Sequence, residues 1–162
     1  MDHAAGITLR PAHAGDGAAL FEVTRRSVLG LAGSHYSAAQ LAGWMGDRDA
    51  TFYEGVIAQG GAVVAEKAGS IVGFVDAEAG EVTRLFLLPE TAGAGLGKRL
   101  LQIGIETARA GHSGPIKVEA TRNAESFYRH HGFATVRTGH FSHGVGGDPI
   151  EIVLMELAAK PA

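Results

Sequence analysis

Residues 82–120 are predicted to form a strand, a glycine-rich turn, a helix and a second strand. "EVTRLFLL" is strand-like, "GLGKRLLQIGIETARAG" carries apolar residues at helical spacing, and "IKVEA" alternates apolar with polar side chains. A crossover of this kind within one sheet is right-handed and makes its two strands parallel. The strands at 82–88 and 116–120 are therefore expected to be parallel neighbours.

Most of the remaining strands are predicted to be antiparallel. "AVVAEK", "SIVGFVDAE" and "EVTRLFLL" are separated by Ala68-Gly69 and Ala79-Gly80, two-residue connections that suit tight hairpins. A first strand is expected at Ile7 to Arg10, and "ATVRTGHF" and "IEIVLMEL" form the last two. The fold class is thus α/β in the mixed α+β sense. We expect about seven strands, mostly antiparallel, flanked by helices.

Capping patterns predict where three of the helices begin. Asp16 is expected to cap a first helix, and Asn123 a short helix that runs to His131. The capping box of a further helix is formed by Ser37 and Gln40. The residues expected to pack around these helices follow: Leu20, Val23, Ser27 and Leu31 on the first; Tyr36 and Leu41 as a hydrophobic staple; and Phe133, beyond a left-handed Gly132, on Phe127 or Tyr128.

The helix between the two parallel strands is predicted to bury one apolar face and to end near Arg109. Arg109 suits the last turn, and Gly111 suits the left-handed position beyond it. The predicted apolar face and its flanks comprise Leu100, Ile103, Thr107, Leu101, Ile105 and Ala108.

Composition bounds the class of protein. The chain has 162 residues, of which 46% are hydrophobic and 19% charged, as expected for one globular domain spanning residues 1–162. A net charge of -3 argues against nucleic acid as a partner. No cysteine is present, which excludes disulfides and thiolate metal sites. No signal peptide or membrane span is apparent, so the expectation is a cytoplasmic protein without a membrane partner.

The stretch "PETAGAGLGKRLL" joins the end of a strand to the start of a helix. Free N–H groups at a helix N-terminus bind anions, and glycine lets an anion approach the backbone closely. A Walker loop would require glycine at Ala92 and serine or threonine at Arg99. A dinucleotide fingerprint requires G-x-G-x-x-G, whereas the spacing here is G-x-G-x-G. Neither of these phosphate-binding motifs fits.

Two stretches resemble the GNAT superfamily of acyl-coenzyme A-dependent N-acyltransferases. "RLFLLPETAGAGLGKRLL" is similar to the family's strand, pyrophosphate loop and helix, with Gly95 and Gly97 at the required small positions. "NAESFYRHHGF" resembles the family's N-A-x-x-F-Y-x-x-x-G-F. The resemblance implies the GNAT fold, with a splayed parallel pair, and acetyl transfer from acetyl-coenzyme A to an amine.

The resemblance also implies a set of site residues. Tyr128 matches a tyrosine that serves as general acid toward the coenzyme A thiolate. Asn123 is either a coenzyme A contact or only a helix cap. The residues implied in cofactor binding are Leu85, Phe86 and Leu87; Ala92, Gly93, Ala94, Gly95, Leu96, Gly97 and Lys98; and Asn123 and Tyr128. The glycine run has the alternative role of allowing close helix–sheet packing.

The chain departs from the family pattern in the loop and at the general base. Ala92 and Ala94 stand where the family has basic or amide side chains, a loss that Lys98 or Arg99 must offset. Thr83 stands where many relatives have an acid. Glu81 and Glu119 are the nearest candidate bases. In the alternative, both are solvated strand carboxylates and a water chain takes the proton.

Other polar and aromatic groups give weaker indications. The eight histidines include the pairs His130-His131 and His140/His143, but no carboxylate joins them at a ligand spacing, so no metal site is predicted. The loop "SHGVGGD" is a candidate substrate lid. Three aromatic residues, Trp44, Phe52 and Tyr53, would line an acceptor pocket or pack in the core.

Two functions remain at this point. The first is an N-acetyltransferase acting on a small-molecule or protein amine, with acetyl-coenzyme A as donor and no metal. The second is a catalytically silent acyl-coenzyme A-binding or protein-interaction module on the same fold. The sequence does not identify the acceptor and leaves a homodimer open.

Overall fold

The computed structural model describes residues 6–32, 36–46, 48–91, 93, 95–141 and 150–161, apart from the side chains of residues 31, 32 and 44. These residues form one seven-stranded mixed sheet in the order β1-β2-β3-β4-β5-β7-β6. The strands are β1 (Ile7–Pro11), β2 (Ala62–Lys67), β3 (Ser70–Glu78), β4 (Glu81–Leu87), β5 (Ile116–Ala120), β6 (Ala134–His140) and β7 (Glu151–Leu157). The helices are α1 (Gly17–Ser27), α2 (Ala38–Met45), α3 (Ala50–Ala58), α4 (Leu96–Arg109) and α5 (Glu125–His130).

The hairpin predictions and the predicted parallel pair are confirmed. Ala68 and Gly69 connect β2 to β3 with φ values of 52° and 82°, the left-handed pair that a tight hairpin turn needs. All strand pairs are antiparallel except β4–β5, which is parallel. The fold class predicted from the sequence is therefore correct.

The parallel strands β4 and β5 meet at one end and separate toward the other. Their register contains a single pair, Glu81 with Lys117. β4 also carries a bulge, because Asp76 pairs with Arg84 and Ala77 with Val82, which leaves Thr83 without a partner in the register. Bulges re-aim backbone groups and are common beside active sites. The sheet thus opens where β4 bends away from β5.

The start of α1 differs from the prediction. Asp16 occupies the N-cap position, but its side chain makes no capping hydrogen bond to the helix. Its carboxylate instead accepts hydrogen bonds from Arg10 at 2.8 Å and from the His13 N–H. The capping role passes to Glu54 of α3, whose carboxylate accepts the N–H of Gly17 at 2.6 Å and that of Gly15. The Asp16 carboxylate pairs with the Arg10 guanidinium and therefore does not cap α1.

Glu54→Ala is expected to lower the free energy of unfolding by about 1–3 kcal/mol, because the N–H groups of Gly15 and Gly17 lose their acceptor. Chemical denaturation followed by circular dichroism measures this change. Glu22→Ala is the matched control, since Glu22 only pairs with Arg25 on the exposed surface of α1, and should cost about 0–0.5 kcal/mol. Equal losses in the two variants would contradict the capping role of Glu54.

The helix that begins after Ser37 follows its prediction. Ser37 accepts the Gln40 N–H, and Gln40 accepts the Ser37 N–H, so the capping box is complete. Tyr36 and Leu41 are buried in the same cluster, as a staple requires. The Tyr36 hydroxyl also donates to the Glu151 carbonyl at 2.7 Å, which ties this helix to β7.

The core lies on both faces of the sheet. α4 and α5 cover one face, and α1 and α3 cover the other around Tyr53 and Phe74. α4 is rotated slightly from its predicted orientation: Ile103 and Thr107 are only partly buried, whereas Gly104 packs on the sheet. A Cβ at Gly104 would lie 2.8 Å from the Val75 side chain, so glycine lets α4 approach the sheet closely.

Other packing predictions hold in the described residues. Leu20, Val23 and Ser27 are buried on one face of α1, and Phe133 packs on Tyr128 at 5.5 Å between ring centroids. Gly111 and Gly132 adopt the left-handed conformation at φ values of 70° and 97°. The predicted contact of Leu31 lies outside the described side chains.

Candidate active site

A cavity of about 500 Å³ opens between the separated strands and the start of α4. Sixteen of the described residues line it: Ser27, Val28, Leu85, Phe86, Leu87, Gly93, Gly95, Gly97, Lys98, Thr121, Asn123, Ala124, Phe127, Tyr128, His130 and His131. Nine of these are predicted cofactor-binding residues. Leu96 has a fully buried side chain that packs in the core, so only its backbone is available there. Ala92 and Ala94 lie outside the described residues.

Glycines shape the end of the cavity at α4. Gly93 and Gly95 have φ values of 86° and 82°, and among the described residues, chain neighbours aside, no heavy atom lies within 4 Å of a Cβ built at either position. Gly95 is the N-cap of α4, and the first N–H bonded back to it belongs to Arg99 at 3.3 Å. The N–H groups before Arg99 have no acceptor within the helix, and the positive end of the helix dipole lies there. This end of the cavity is suited to an anion.

Asn123 does not cap α5. The N-cap of that helix is Ala124, and a short 3₁₀ helix over Arg122–Ala124 precedes it. The Oδ1 atom of Asn123 is buried, and no described residue donates a hydrogen bond to it. A buried amide oxygen without a donor is costly, and this one belongs to a residue that lines the cavity. Of the two roles predicted for Asn123, the helix cap is wrong and the ligand contact stays a prediction.

Tyr128 lies at the junction of two cavities. Its side chain is 6% exposed and packs edge-on against Phe127, with 5.2 Å between ring centroids. Tyr128 lines the large cavity and also a second cavity of about 50 Å³. Burial raises the pKa of its hydroxyl. The phenol is therefore protonated at neutral pH and can donate a proton at this junction.

The second cavity is lined by both apolar and charged groups. Arg84 and the bulged Thr83 come from β4, Glu119 from β5 and Phe141 from the end of β6. Leu85, Phe86, Thr121, Ala124 and Tyr128 line this cavity and the large one. The two cavities thus approach one another across the gap between β4 and β5.

The two predicted carboxylates occupy different places. Glu81 is 4% exposed, and its carboxylate lies 3.7 Å from Lys117 Nζ where the parallel strands still pair. It lines neither of the two cavities. Glu119 is partly buried and lines the second cavity beside Thr83. The geometry brings Glu119, and not Glu81, toward Tyr128.

Several site features were not found from the sequence. His130 and His131 line the large cavity beside the predicted Lys98, and burial, His130 and Lys98 together lower the pKa of His131. Arg84 donates to Asp76 at 2.7 Å beside the second cavity. The available sequence signal was their position, since His130 and His131 lie one helical turn after Phe127 and Tyr128.

The aromatic residues divide between core and site. Tyr53 is 1% exposed and packs against Phe74 in the core, so it does not line an acceptor pocket. Phe52 is partly buried beside Arg48 and Arg84. The Trp44 side chain and the candidate lid at 142–148 lie outside the described residues.

Among the residues that the structure describes, no group of three or more His, Cys, Asp or Glu side chains is placed to hold a metal ion. None of the described helices combines the length and hydropathy that a membrane-spanning helix needs.

Comparison with known proteins identifies the architecture. A family profile described as "Acetyltransferase (GNAT) domain" matches residues 33–154. A GCN5-related N-acetyltransferase from Rhodopseudomonas palustris superposes with a TM-score of 0.85 at 22% identity, over 93% of this chain and 94% of that one. No curated protein sequence matches the chain significantly.

Two further solved structures contain the cofactor. The PaiA N-acetyltransferase of Thermoplasma acidophilum, in complex with coenzyme A, gives a TM-score of 0.76 at 20% identity, over 94% of this chain and 98% of that one. YncA of Salmonella typhimurium, with acetyl-CoA, gives 0.66 at 25% identity, over 96% of this chain and 95% of that one.

Proposed function

Since the chain belongs to the GNAT acetyltransferase family, we propose that it transfers the acetyl group of acetyl-coenzyme A to a primary amine by direct attack in a ternary complex. The observation that carries this proposal is the position of Tyr128, which lines two cavities that approach each other between β4 and β5. One cavity takes the thioester and the other the amine. Holding both reactants in this way supplies much of the rate acceleration.

Acetyl-coenzyme A fits the large cavity. Its pyrophosphate would accept hydrogen bonds from the N–H groups of residues 93–98, where Gly93 and Gly95 leave the backbone open. The buried Oδ1 of Asn123 would gain a donor from the bound molecule. The backbone of β4 at Leu85 to Leu87 would pair with the pantetheine arm, because β5 has separated from it there.

Basic side chains at this cavity would compensate for the donors that the two loop alanines lack. Ala92 and Ala94 offer no side-chain donors, but Lys98, His130 and His131 line the same cavity. A phosphate there would be attracted to the Lys98 ammonium and to a protonated histidine. Three side chains outside the loop would thus contribute to coenzyme A affinity.

The affinity for coenzyme A is expected to fall as pH rises through the range just below and around 6.5, the ordinary pKa of histidine. Burial and the neighbouring cations hold the pKa of His131 below its ordinary value in the free protein. A bound phosphate raises that pKa, so binding takes up a proton and weakens as protons become scarce. A rise of one unit in the pKa of His131 on binding changes the coenzyme A affinity by at most about tenfold.

Calorimetric titration of coenzyme A at several pH values measures this dependence. His131→Gln should flatten the curve. His13→Gln, a change of an exposed histidine preceding α1, should leave it unchanged and also controls for ionisation of the ligand phosphate. A His131→Gln curve that parallels the wild-type curve would exclude proton uptake by His131.

The amine must lose a proton and the thiolate must gain one. Tyr128 is the proposed proton donor to the coenzyme A sulfur, since its hydroxyl is protonated and lies at the junction. Burial that raises the pKa of the phenol also raises that of a thiol in the same surroundings, so the two stay matched. Glu119 is the proposed base, directly or through a water molecule.

Glu119→Gln is expected to lower kcat/KM by about 10–100-fold near pH 7 and to spare coenzyme A affinity, because it removes the base and keeps the side-chain shape. Glu81→Gln is the matched control on the neighbouring strand and should change kcat/KM less than about threefold. Initial-rate assays of thiol release measure both. A reversal of the two effects would assign the base to Glu81.

The proposed reaction is tested by initial rates with acetyl-coenzyme A and an amine panel. Direct attack predicts intersecting double-reciprocal lines, and no acetylated protein when acetyl-coenzyme A is added alone. Parallel lines together with a protein heavier by one acetyl group would reject direct attack in favour of an acetyl-enzyme. Residues 1–162 are proposed to act as one domain, and a homodimer remains compatible with this chemistry.

A further inference from the structure

The Tyr36 hydroxyl joins two segments of the chain close to the large cavity. It accepts a hydrogen bond from the Arg122 N–H at 3.0 Å and donates one to the Glu151 carbonyl at 2.7 Å. The Tyr36 side chain is 7% exposed, and burial raises the pKa of its hydroxyl, which therefore keeps the proton that it donates. One side chain thus satisfies a backbone donor of one segment and a backbone acceptor of the other.

The two partners of this hydroxyl lie where the β5–β7 ladder would continue. The last pair in that register is Ala120 with Val153. Two residues further along the strands, Arg122 would face Glu151 in the same way, because hydrogen-bonded pairs of an antiparallel ladder recur at every second residue. The hydroxyl bridges the backbone groups of these two residues instead. Tyr36 therefore occupies the place of a direct N–H to carbonyl bond and ends the ladder there.

The chain that leaves β5 at this point forms part of the wall of the large cavity. It turns into the 3₁₀ helix Arg122–Ala124, whose N-cap residue, Thr121, makes no side-chain capping bond. Thr121 lines both cavities, and Asn123 lines the large one with a buried Oδ1 to which no described residue donates. The first N–H of this turn is bonded by Tyr36, from before α2. A direct bond to β7 would instead draw the turn away from the cavity.

We propose that Tyr36 is a positioning residue for the donor site, and that its hydroxyl, by holding the turn after β5 apart from β7, places Asn123 against coenzyme A. This inference rests on the cofactor site of the proposed function and assigns a further residue to it. Tyr36 lines neither cavity, so its effect on the ligand passes through the turn. Since a contact group must be held in place to bind well, loss of the hydroxyl should lower coenzyme A affinity.

The test is a double-mutant cycle on coenzyme A affinity, measured by calorimetry. Tyr36→Phe keeps the ring and is expected to weaken binding about tenfold, as is Asn123→Ala. The double variant should bind within about threefold of Asn123→Ala, because the hydroxyl acts through that side chain. Losses that multiply in the double variant, or unchanged affinity in Tyr36→Phe, would overturn the inference and leave the Asn123 contact intact. Unchanged affinity in Asn123→Ala would reject the contact and the inference together, whereas acetyl transfer is judged separately by thiol release.

Thr24→Val is the matched control for a lost buried hydroxyl. The Thr24 side chain is fully buried in α1, donates to the Leu20 carbonyl at 2.9 Å and lines neither cavity. This variant should lower the melting temperature and keep coenzyme A affinity. A loss of affinity equal to that of Tyr36→Phe would make both effects a consequence of lower stability and would overturn the positioning role.

Arg122→Pro removes the same hydrogen bond from its other partner and decides the question if Tyr36→Phe does not fold. The first position of a 3₁₀ helix suits proline, and the extended Thr121, with φ of −65° and ψ of 156°, suits the residue before it. Arg122→Pro is expected to weaken coenzyme A binding about tenfold. Arg122→Ala keeps the N–H and should bind within about threefold of wild type. Equal affinities in these two variants would overturn the inference.

Discussion

Tyr128→Phe is expected to lower kcat by about 10²–10⁴, because the change removes the proton donor at the junction of the two cavities. The phenyl ring remains, so packing against Phe127 and Phe133 should survive. Affinity for coenzyme A should stay within about threefold, since the hydroxyl matters most as charge develops on sulfur. Steady-state kinetics, calorimetry and thermal unfolding together separate these effects.

Phe127→Leu is the informative control for that substitution. It perturbs the neighbouring ring that lines the large cavity but leaves the hydroxyl of Tyr128 in place. It is expected to affect coenzyme A affinity more than turnover. A folded Tyr128→Phe protein that binds coenzyme A and keeps its rate within about threefold would show that Tyr128 only packs. A water molecule would then be the proton source.

Gly95→Asp is expected to weaken coenzyme A binding by about 100-fold or more, which corresponds to about 2.7 kcal/mol. The new carboxylate would lie at the N-terminus of α4, where the structure leaves space for a Cβ and where the pyrophosphate is proposed to bind. Like charges at this distance repel, and the side chain competes for the same N–H groups. Calorimetry measures the loss.

Two variants separate charge from backbone strain in that experiment. Gly111→Asp places the same side chain at a left-handed position at the far end of α4, where φ is 70° and a Cβ also meets no neighbour. It should leave coenzyme A affinity unchanged. Gly95→Asn keeps the shape without the charge and should lose less affinity than Gly95→Asp. Unchanged affinity in Gly95→Asp would place the cofactor elsewhere.

Local chemistry explains what the sequence predicted correctly. The capping box at Ser37, the hairpin turn at Ala68-Gly69 and the glycine beyond α5 are each decided by neighbours along the chain. The parallel pairing of β4 with β5 follows from the helix that connects them, since parallel neighbours need such a crossover connection. These features could be predicted because few distant residues compete with them.

The incorrect predictions share a physical cause. Asp16 was expected to cap α1, but Arg10 takes its carboxylate and Glu54, from α3, supplies the cap. Asn123 was expected to cap α5, but a 3₁₀ turn places Ala124 at that position. In both cases the helix ends were decided by partners or turns that helix-start patterns do not contain.

The sequence predicted the cofactor side of the candidate site more completely than the acceptor side. The cofactor side is built from consecutive residues around Gly95 and Tyr128, so a motif could indicate it. The proposed acceptor side combines Arg84 of β4, Glu119 of β5 and Phe141 after β6, which come from three separate parts of the chain and meet only in the fold. Spacing along the sequence carries no signal for such a cluster.

The central claim is that this chain is an acetyltransferase and not a silent coenzyme A-binding module. The most direct measurement is the release of free thiol from acetyl-coenzyme A, with and without an amine panel, on protein shown by calorimetry to bind the donor. We expect amine-dependent thiol release, matched one to one by N-acetylated product, and its loss in Tyr128→Phe. Binding of acetyl-coenzyme A without thiol release above the uncatalysed rate, for every amine tested, would contradict the claim.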